Sequence, residues 1–216
     1  MTRKEKTIHE EWEAVHRGLS PLSATFLSSS DPQTVLDAHG VYVYQGDRVL
    51  DIGVGTGDMA KHLHQCGCEV DALDIVESAR DAVDQYVKEF YITPTALVRS
   101  TYDLAISNLV TQHITDRELA KQVSHVFRSL KPGGVLSMQC AGSYGSILAN
   151  DQTSVSVELL LNGSVTRSYA YTTAIIEKAI RGKKEIVLTE GPRFPEYESY
   201  WYYLHISKPR RKASRT

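Results

Sequence analysis

At 216 residues the chain is long enough to bury the core of one domain, and its net charge of −2 gives no bulk electrostatic pull toward nucleic acid. Its three cysteines, Cys66, Cys68 and Cys140, are too few for a disulfide framework and suit a reducing compartment. No apolar run approaches the ~20 residues of a membrane helix, and the polar N-terminus lacks a signal peptide's apolar stretch, so a cytoplasmic location is expected.

Ile8, Trp12, Val15 and Leu19 recur at helical spacing and predict an amphipathic helix over 7–19. A polar loop over 20–30 follows. Ser30-Asp31-Pro32 then opens a short helix with proline in its first turn, and Gly40 ends it. The apolar strand Val49-Leu50-Asp51-Ile52 runs into three alternate glycines, Gly53, Gly55 and Gly57. Without a Cβ, such a turn bends sharply and lets a ligand approach the backbone. A helix over 58–66 stops at Gly67, and a strand over 70–74 ends in the carboxylate of Asp74. The next helix is expected over 76–91, with Ala79, Val83, Tyr86, Val87 and Phe90 inward. Residues 95–98 are the segment available for a third strand, and 102–108 form the fourth. Leu119, Val123, Val126 and Phe127 mark a helix over 116–130, before a fifth strand over 135–140 and a Gly/Ser-rich loop. Alternation over 154–161 and 164–171, on both sides of Asn162-Gly163, predicts an inserted β-hairpin. Thr172 or Thr173 is expected to cap a helix over 174–181, closed by Gly182. Strands over 185–188 and 200–207 make a terminal antiparallel pair, and the basic tail 208–216 is expected to be a solvated end.

Two details sharpen the glycine turn. Asp51 stands two residues before the first glycine, and the third glycine of a dinucleotide fingerprint is replaced by Asp58, which argues against NAD. With Asp51-x-Gly53-x-Gly55-x-Gly57 the segment resembles motif I of the class I S-adenosylmethionine-dependent methyltransferases. Tyr102-Asp-Leu-Ala-Ile-Ser-Asn108 resembles that family's fourth strand, and Leu130-Lys-Pro-Gly-Gly-Val-Leu-Ser137 its turn into the fifth. The likeness covers residues 45–140. It implies an α/β fold with a doubly wound, mostly parallel, seven-stranded Rossmann-like sheet, an antiparallel last strand and the hairpin inserted after strand five. One domain over 1–216 is expected, with a helical cap at 7–40, the cofactor core at 45–140 and the hairpin within 150–172. For S-adenosylmethionine the resemblance implies a cradle of Asp51, Gly53, Gly55 and Gly57, with Asp74 on the ribose hydroxyls and Ile75 beside it. Asn108 and Leu109 follow strand four. Ser100 and Thr101 stand where relatives carry an acid for the adenine. The leading helix would bring Trp12 and His16 over the cofactor mouth; Trp12 packing the helix onto the core is the other reading.

Such a cofactor carries its own leaving group, so the protein's main task is to align an acceptor. A base matters only where the acceptor must lose a proton, and His113, just past strand four, is the candidate. A core or capping histidine is the competing reading. Tyr144, Tyr169, Tyr171 and Arg193 are equally acceptor-wall or packing residues. His62, His64, Cys66 and Cys68 fall where side chains diverge, so no metal is expected. Amino-methylating nucleic-acid enzymes carry a Pro-Pro-aromatic motif after strand four to stack a flipped base. Here Asn108-Leu109-Val110 stands there, which favours a small molecule or sugar methylated at O or N, no DNA partner, and a monomer or homodimer. The alternatives are a protein or RNA acceptor drawn by the basic tail, and a non-catalytic cofactor-binding module.

Overall fold

The computed structural model describes residues 8–19, 31–143, 165–194 and 199–210. Helix α1 (Ile8–His16) and helix α2 (Pro32–His39) precede the sheet. Asp31 caps α2 by accepting the Thr34 amide N–H, Pro32 fills the first turn, and Gly40 closes it at φ 61°. Strands β1 (Arg48–Ile52), β2 (Glu69–Leu73), β3 (Glu89–Tyr91), β4 (Tyr102–Ser107), β5 (Leu130–Ser143), β6 (Glu185–Phe194) and β7 (Ser199–Ser207) follow. Among the described residues they form one sheet in the order β3-β2-β1-β4-β5-β7-β6. The first five are parallel and β7 runs antiparallel to both neighbours. This is the expected doubly wound α/β sheet.

Strand alternation divides the core. Leu50, Ile52, Ala105, Leu136 and Met138 pack with α5 (Asp116–Ser129) and α6 (Tyr169–Ala179) on one face. Val49, Val70, Leu104 and Ile106 pack with α2 and α3 (Asp58–Gln65) on the other. Helix α5 begins with a reciprocal capping box between Thr115 and Glu118, which fixes where the loop after β4 must end.

Several boundaries differ from the sequence expectation, each for a local reason. The third strand is Glu89–Tyr91, paired with β2, whereas Pro94–Ala96 is a 3-10 turn capped by Thr93. A proline in the first turn withholds the N–H that a central ladder requires. The helix expected over 76–91 is only a 3-10 turn at Glu77–Ala79 leading into one α-helical turn, α4 (Arg80–Val83). Val87 closes a turn onto the Val83 carbonyl, and Phe90, at helical spacing from both, lies in β3 under the Arg80 guanidinium at 4.7 Å. The sixth helix starts at Tyr169, not 174, because the Ser168 side chain accepts the Tyr171 N–H. The predicted second hairpin strand therefore does not reach 169–171. Thr172, expected as a cap, is buried and bonded to the Tyr202 hydroxyl at 2.7 Å. The Asn162-Gly163 turn, the first hairpin strand and Tyr144 lie outside the described residues. Strand β5 already begins at Leu130, opposite Tyr102, and Gly134 has no room for a side chain, since a Cβ would stand 2.7 Å from the Tyr102 carbonyl oxygen. No described helix is long and apolar enough to cross a membrane.

Candidate active site

The carboxyl ends of β1, β2 and β4 open into a cavity of about 480 Å³. Asp51, Gly53, Gly55, Asp74, Ile75, Asn108, Leu109 and His113 all line it, so most of the expected site residues converge. Gly57, Ser100 and Thr101 are not brought there. Gly57 is the N-cap of α3 at φ 84°, and a Cβ on it would lie 2.7 Å from Val83 Cγ1, so its smallness serves packing. Ser100 and Thr101 precede β4, at the amino end of the sheet, where their amides bond the carbonyls of Arg128 and Ser129. Their polarity in sequence was not matched by position. From the segment between β2 and β4, Ile75 and Pro94 line the cavity instead.

The glycine turn and the two acids form one electrostatic unit. The amide N–H groups of Gly55 and Val76 donate to the Asp74 carboxylate at 3.3 and 3.0 Å. Burial nevertheless holds its carboxyl above the usual range. Asp51 is 5% exposed, and its Oδ2 has no hydrogen-bond partner in the protein. Burial first, and then the charge of Asp74, push its carboxyl up to about 7. A buried acceptor left without a donor is costly, and this one borders an open cavity.

That cost has a sign. Between about pH 4 and 7 the folded protein keeps an Asp51 proton that the unfolded chain has released, so stability falls as pH rises across that window. Asp51→Asn should therefore leave stability unchanged near pH 4 and add about 2–4 kcal/mol at pH 8. Thermal melts of the ligand-free protein at the two pH values check this; equal effects at both would show that Asp51 is not strained.

The cavity is also lined by Trp12, Gln112, His113, Ile114, Gln122 and Trp201. Helix α1 contributes Trp12 and His16 to this lining and is anchored where Glu13 accepts from the Glu77 N–H and the Ser78 hydroxyl at 3.1 and 2.9 Å. Trp12 meets His113 edge to face, with ring centroids 4.9 Å apart. Both readings of Trp12 thus hold at once: it packs, and it faces the site. His113 sits on the 3-10 turn Thr111–His113 and burial lowers its imidazole to about 4, so it is neutral at physiological pH. Gln112 Oε1 and Gln122 Nε2 are buried without partners. Neither was singled out in the sequence, although Gln112 adjoins His113. Trp201 had no local signal, because only the reversed direction of β7 carries its first residues to this end.

The turn bearing Gln112 and His113 is braced by Arg167, which is 4% exposed. Its guanidinium donates to the Thr111 and Ile114 carbonyls, both at 2.6 Å, and to Asp116 at 2.8 Å. Tyr171 adds a hydroxyl to Asp116 at 2.6 Å, which makes it a packing residue. Tyr169 meets Tyr202 edge to face, and Arg193 pairs with Glu190 on the exposed part of β6. Neither lines the cavity.

At the expected non-metal segment, Cys66 is exposed with its sulfur 3.7 Å from His62 Nε2, while Cys68 is buried toward the Tyr44 carbonyl. Among the described residues, no three His, Cys, Asp or Glu side chains are grouped to hold a metal ion.

An acid, a tight glycine turn and a second acid at the carboxyl ends of a doubly wound sheet define a protein of the Rossmann-like, nucleoside-cofactor class. Comparison with known proteins narrows this. A family model described as a methyltransferase domain matches residues 12–162. Malonyl-[acyl-carrier protein] O-methyltransferases of Enterobacter lignolyticus and Pseudescherichia vulneris are 38% and 32% identical over 96 and 100 residues. Those matches cover 42% and 44% of this chain but only 37% and 39% of the relatives' lengths. Among solved structures, the [4+2]-cyclase SpnF superposes with a TM-score of 0.72 at 15% identity, covering 94% of this chain and 96% of the cyclase. A Haemonchus contortus phosphoethanolamine N-methyltransferase 2, in complex with S-adenosylhomocysteine, gives 0.61 at 17% identity, covering 83% of this chain and 52% of the other. At such identities these two show the fold. The chain belongs to the class I S-adenosylmethionine-dependent methyltransferase family.

The residues present fit the family's cofactor, S-adenosylmethionine. Asp51 keeps an unpartnered oxygen at the cavity wall, and a Cβ built on Gly55 meets no protein atom nearer than 3.8 Å, so the space beside it is cavity. Asp74→Ala should weaken S-adenosylhomocysteine binding by one to about 3 kcal/mol, because ribose hydroxyls lose a charged acceptor. Calorimetry showing unchanged affinity would remove Asp74 from that role.

Proposed function

We propose that the chain transfers a methyl group from S-adenosylmethionine to an oxygen or nitrogen of a small-molecule acceptor, acting as one domain with α1 as its cap. The observation that carries this reading is the joining of two unlike halves in one cavity. Asp51, the glycine turn and Asp74 line it together with Trp12, Gln112, His113, Gln122 and Trp201. When bound, the cofactor supplies an electrophilic methyl carbon on a sulfonium. The chain's own contribution is alignment and exclusion of water, the larger part of the rate in such transfers.

His113 is the proposed catalytic residue. A neutral imidazole accepts a hydrogen bond from an acceptor O–H or N–H and orients its lone pair. With its imidazole lowered to about 4 it is a weak base near pH 7, which suits an acceptor needing little deprotonation. Gln112 Oε1 and Gln122 Nε2 offer one acceptor and one donor to the same ligand. Among the described residues no Lys or Arg lines the cavity, which supports a neutral acceptor. The O-methyltransferase activity named for the matched relatives supports oxygen as the methylated atom.

The test is transfer of a tritiated methyl group from S-adenosylmethionine with panels of small hydroxylated, carboxylated and amino compounds. Label in a small product is the expected result. Label only in acyl-carrier protein or RNA would assign a macromolecular acceptor. S-adenosylhomocysteine binding without any turnover would assign a cofactor-binding module.

A further inference from the structure

His39, at the end of α2, is fully buried yet polar on both ring edges. Its Nδ1 lies 2.7 Å from the Ser137 hydroxyl on β5, and its Nε2 lies 3.3 Å from Asn108 Oδ1. The ring is fixed from the side by Tyr203, edge to face at 4.7 Å, and His205 Nε2 holds the His39 carbonyl at 2.6 Å. Neither ring nitrogen of His39 bonds to Asp51 or Asp74. An amide oxygen only accepts, so the nitrogen facing it must carry the hydrogen. The Nε2–H tautomer therefore donates to Asn108, and Nδ1 accepts from Ser137. Burial lowers the imidazole to about 4, which keeps this single neutral form across the working pH range.

Asn108 lines the cavity directly after β4. With its oxygen committed to His39, the group it has left to offer a ligand is its NH2, a donor. The neighbouring backbone is set by the same platform: Leu109, at φ 57°, donates its N–H to Gln139 Oε1 at 3.0 Å. We propose that His39 is a positioning residue that locks the Asn108 side-chain amide in one flip, so that Asn108 presents a hydrogen-bond donor to an oxygen of the bound cofactor. This rests on the cofactor reading of the cavity. Without His39, the amide rotates by half a turn at little cost and shows its oxygen instead, an acceptor against an acceptor.

Three variants and one spectrum test it. Gln places its amide nitrogen near the position of the His Nε2, whereas Asn places its own near Nδ1. His39→Asn should weaken S-adenosylhomocysteine binding at least tenfold by calorimetry, and His39→Gln should restore it to within threefold of the parent. Asn108→Asp, which keeps the acceptor facing His39 and loses the donor, should match His39→Asn. Nitrogen-15 spectra of histidine-labelled protein should show His39 as the Nε2–H tautomer. An Nδ1–H tautomer, or Asn108→Asp binding within twofold of the parent, would overturn the proposal. Equal losses in His39→Asn and His39→Gln, with equal falls in melting temperature, would reduce His39 to a structural residue. Failure of the parent protein to bind S-adenosylhomocysteine would sink the cofactor reading itself, a distinct outcome.

Discussion

Gly55→Val is expected to abolish S-adenosylhomocysteine binding while the protein stays folded. Gly55 sits at φ 52°, and an added Cβ would find the Gly53 carbonyl oxygen at 3.8 Å as its nearest protein neighbour. No packing is disrupted, so the side chain enters the cavity. Valine pays for the left-handed backbone with about 1–3 kcal/mol of stability, a modest drop in melting temperature. Binding should fall by more than about 100-fold, equivalent to ~2.7 kcal/mol. Gly55→Ala, with less strain, should show most of the same loss. The neighbouring glycines behave differently: a Cβ on Gly53 collides with Val110 and one on Gly57 with Val83, so those changes should cost stability as well. Calorimetry on folded Gly55→Val showing affinity within threefold of the parent would mean that the glycine turn does not cradle the cofactor.

Arg167→Ala is expected to have the largest effect on stability. It strips the Thr111 and Ile114 carbonyls of their donor and leaves Asp116 with only the Tyr171 hydroxyl. Removing one member of a buried charged pair costs about 3–5 kcal/mol. For a chain of this length that is roughly a 10 °C fall in melting temperature. Arg167→Lys should recover only part, since an ammonium cannot reproduce a planar fork to three oxygens. Because the released turn carries Gln112 and His113, methyl transfer should fall further than stability explains. Cofactor affinity should hold within about threefold, a difference of ~0.7 kcal/mol. A melting temperature within 2 °C of the parent, in the sense of less than ~1 kcal/mol, would show the brace to be redundant.

The parallel half of the fold was legible because its signals are local. The run Val49–Ile52 with Gly53 and Gly55, and the acid ending the second strand, are contiguous patterns whose geometry hardly depends on distant contacts. Asp51, Asp74, Asn108 and His113 met in one cavity because Asp51 stands in the last pleat of β1 and the others follow parallel strands at their carboxyl ends. Residues 76–98 were misread because Val87 and Phe90 satisfy two periods at once, and only pairing with β2 chooses the strand. Ser100 and Thr101 failed as site residues because family position was taken for spatial position. His39, Gln122, Arg167 and Trp201 were beyond sequence reasoning altogether. Each reaches the cavity or its supports only through the fold, and no spacing rule encodes such a meeting.

The reversed strand β7 has a consequence for how the protein diversifies. Its start, not its end, lies at the mouth, so Trp201 reaches the cavity from the C-terminal part of the chain, far in sequence from the glycine turn. The acids and the glycine turn of the cavity come from residues 51–74, while Trp201 comes from β7, paired with β6. On the proposed reading, substitutions at the entry to β7 would reshape what is methylated without disturbing the donor cradle. Selectivity and donor binding would then be inherited as nearly separate traits on one sheet.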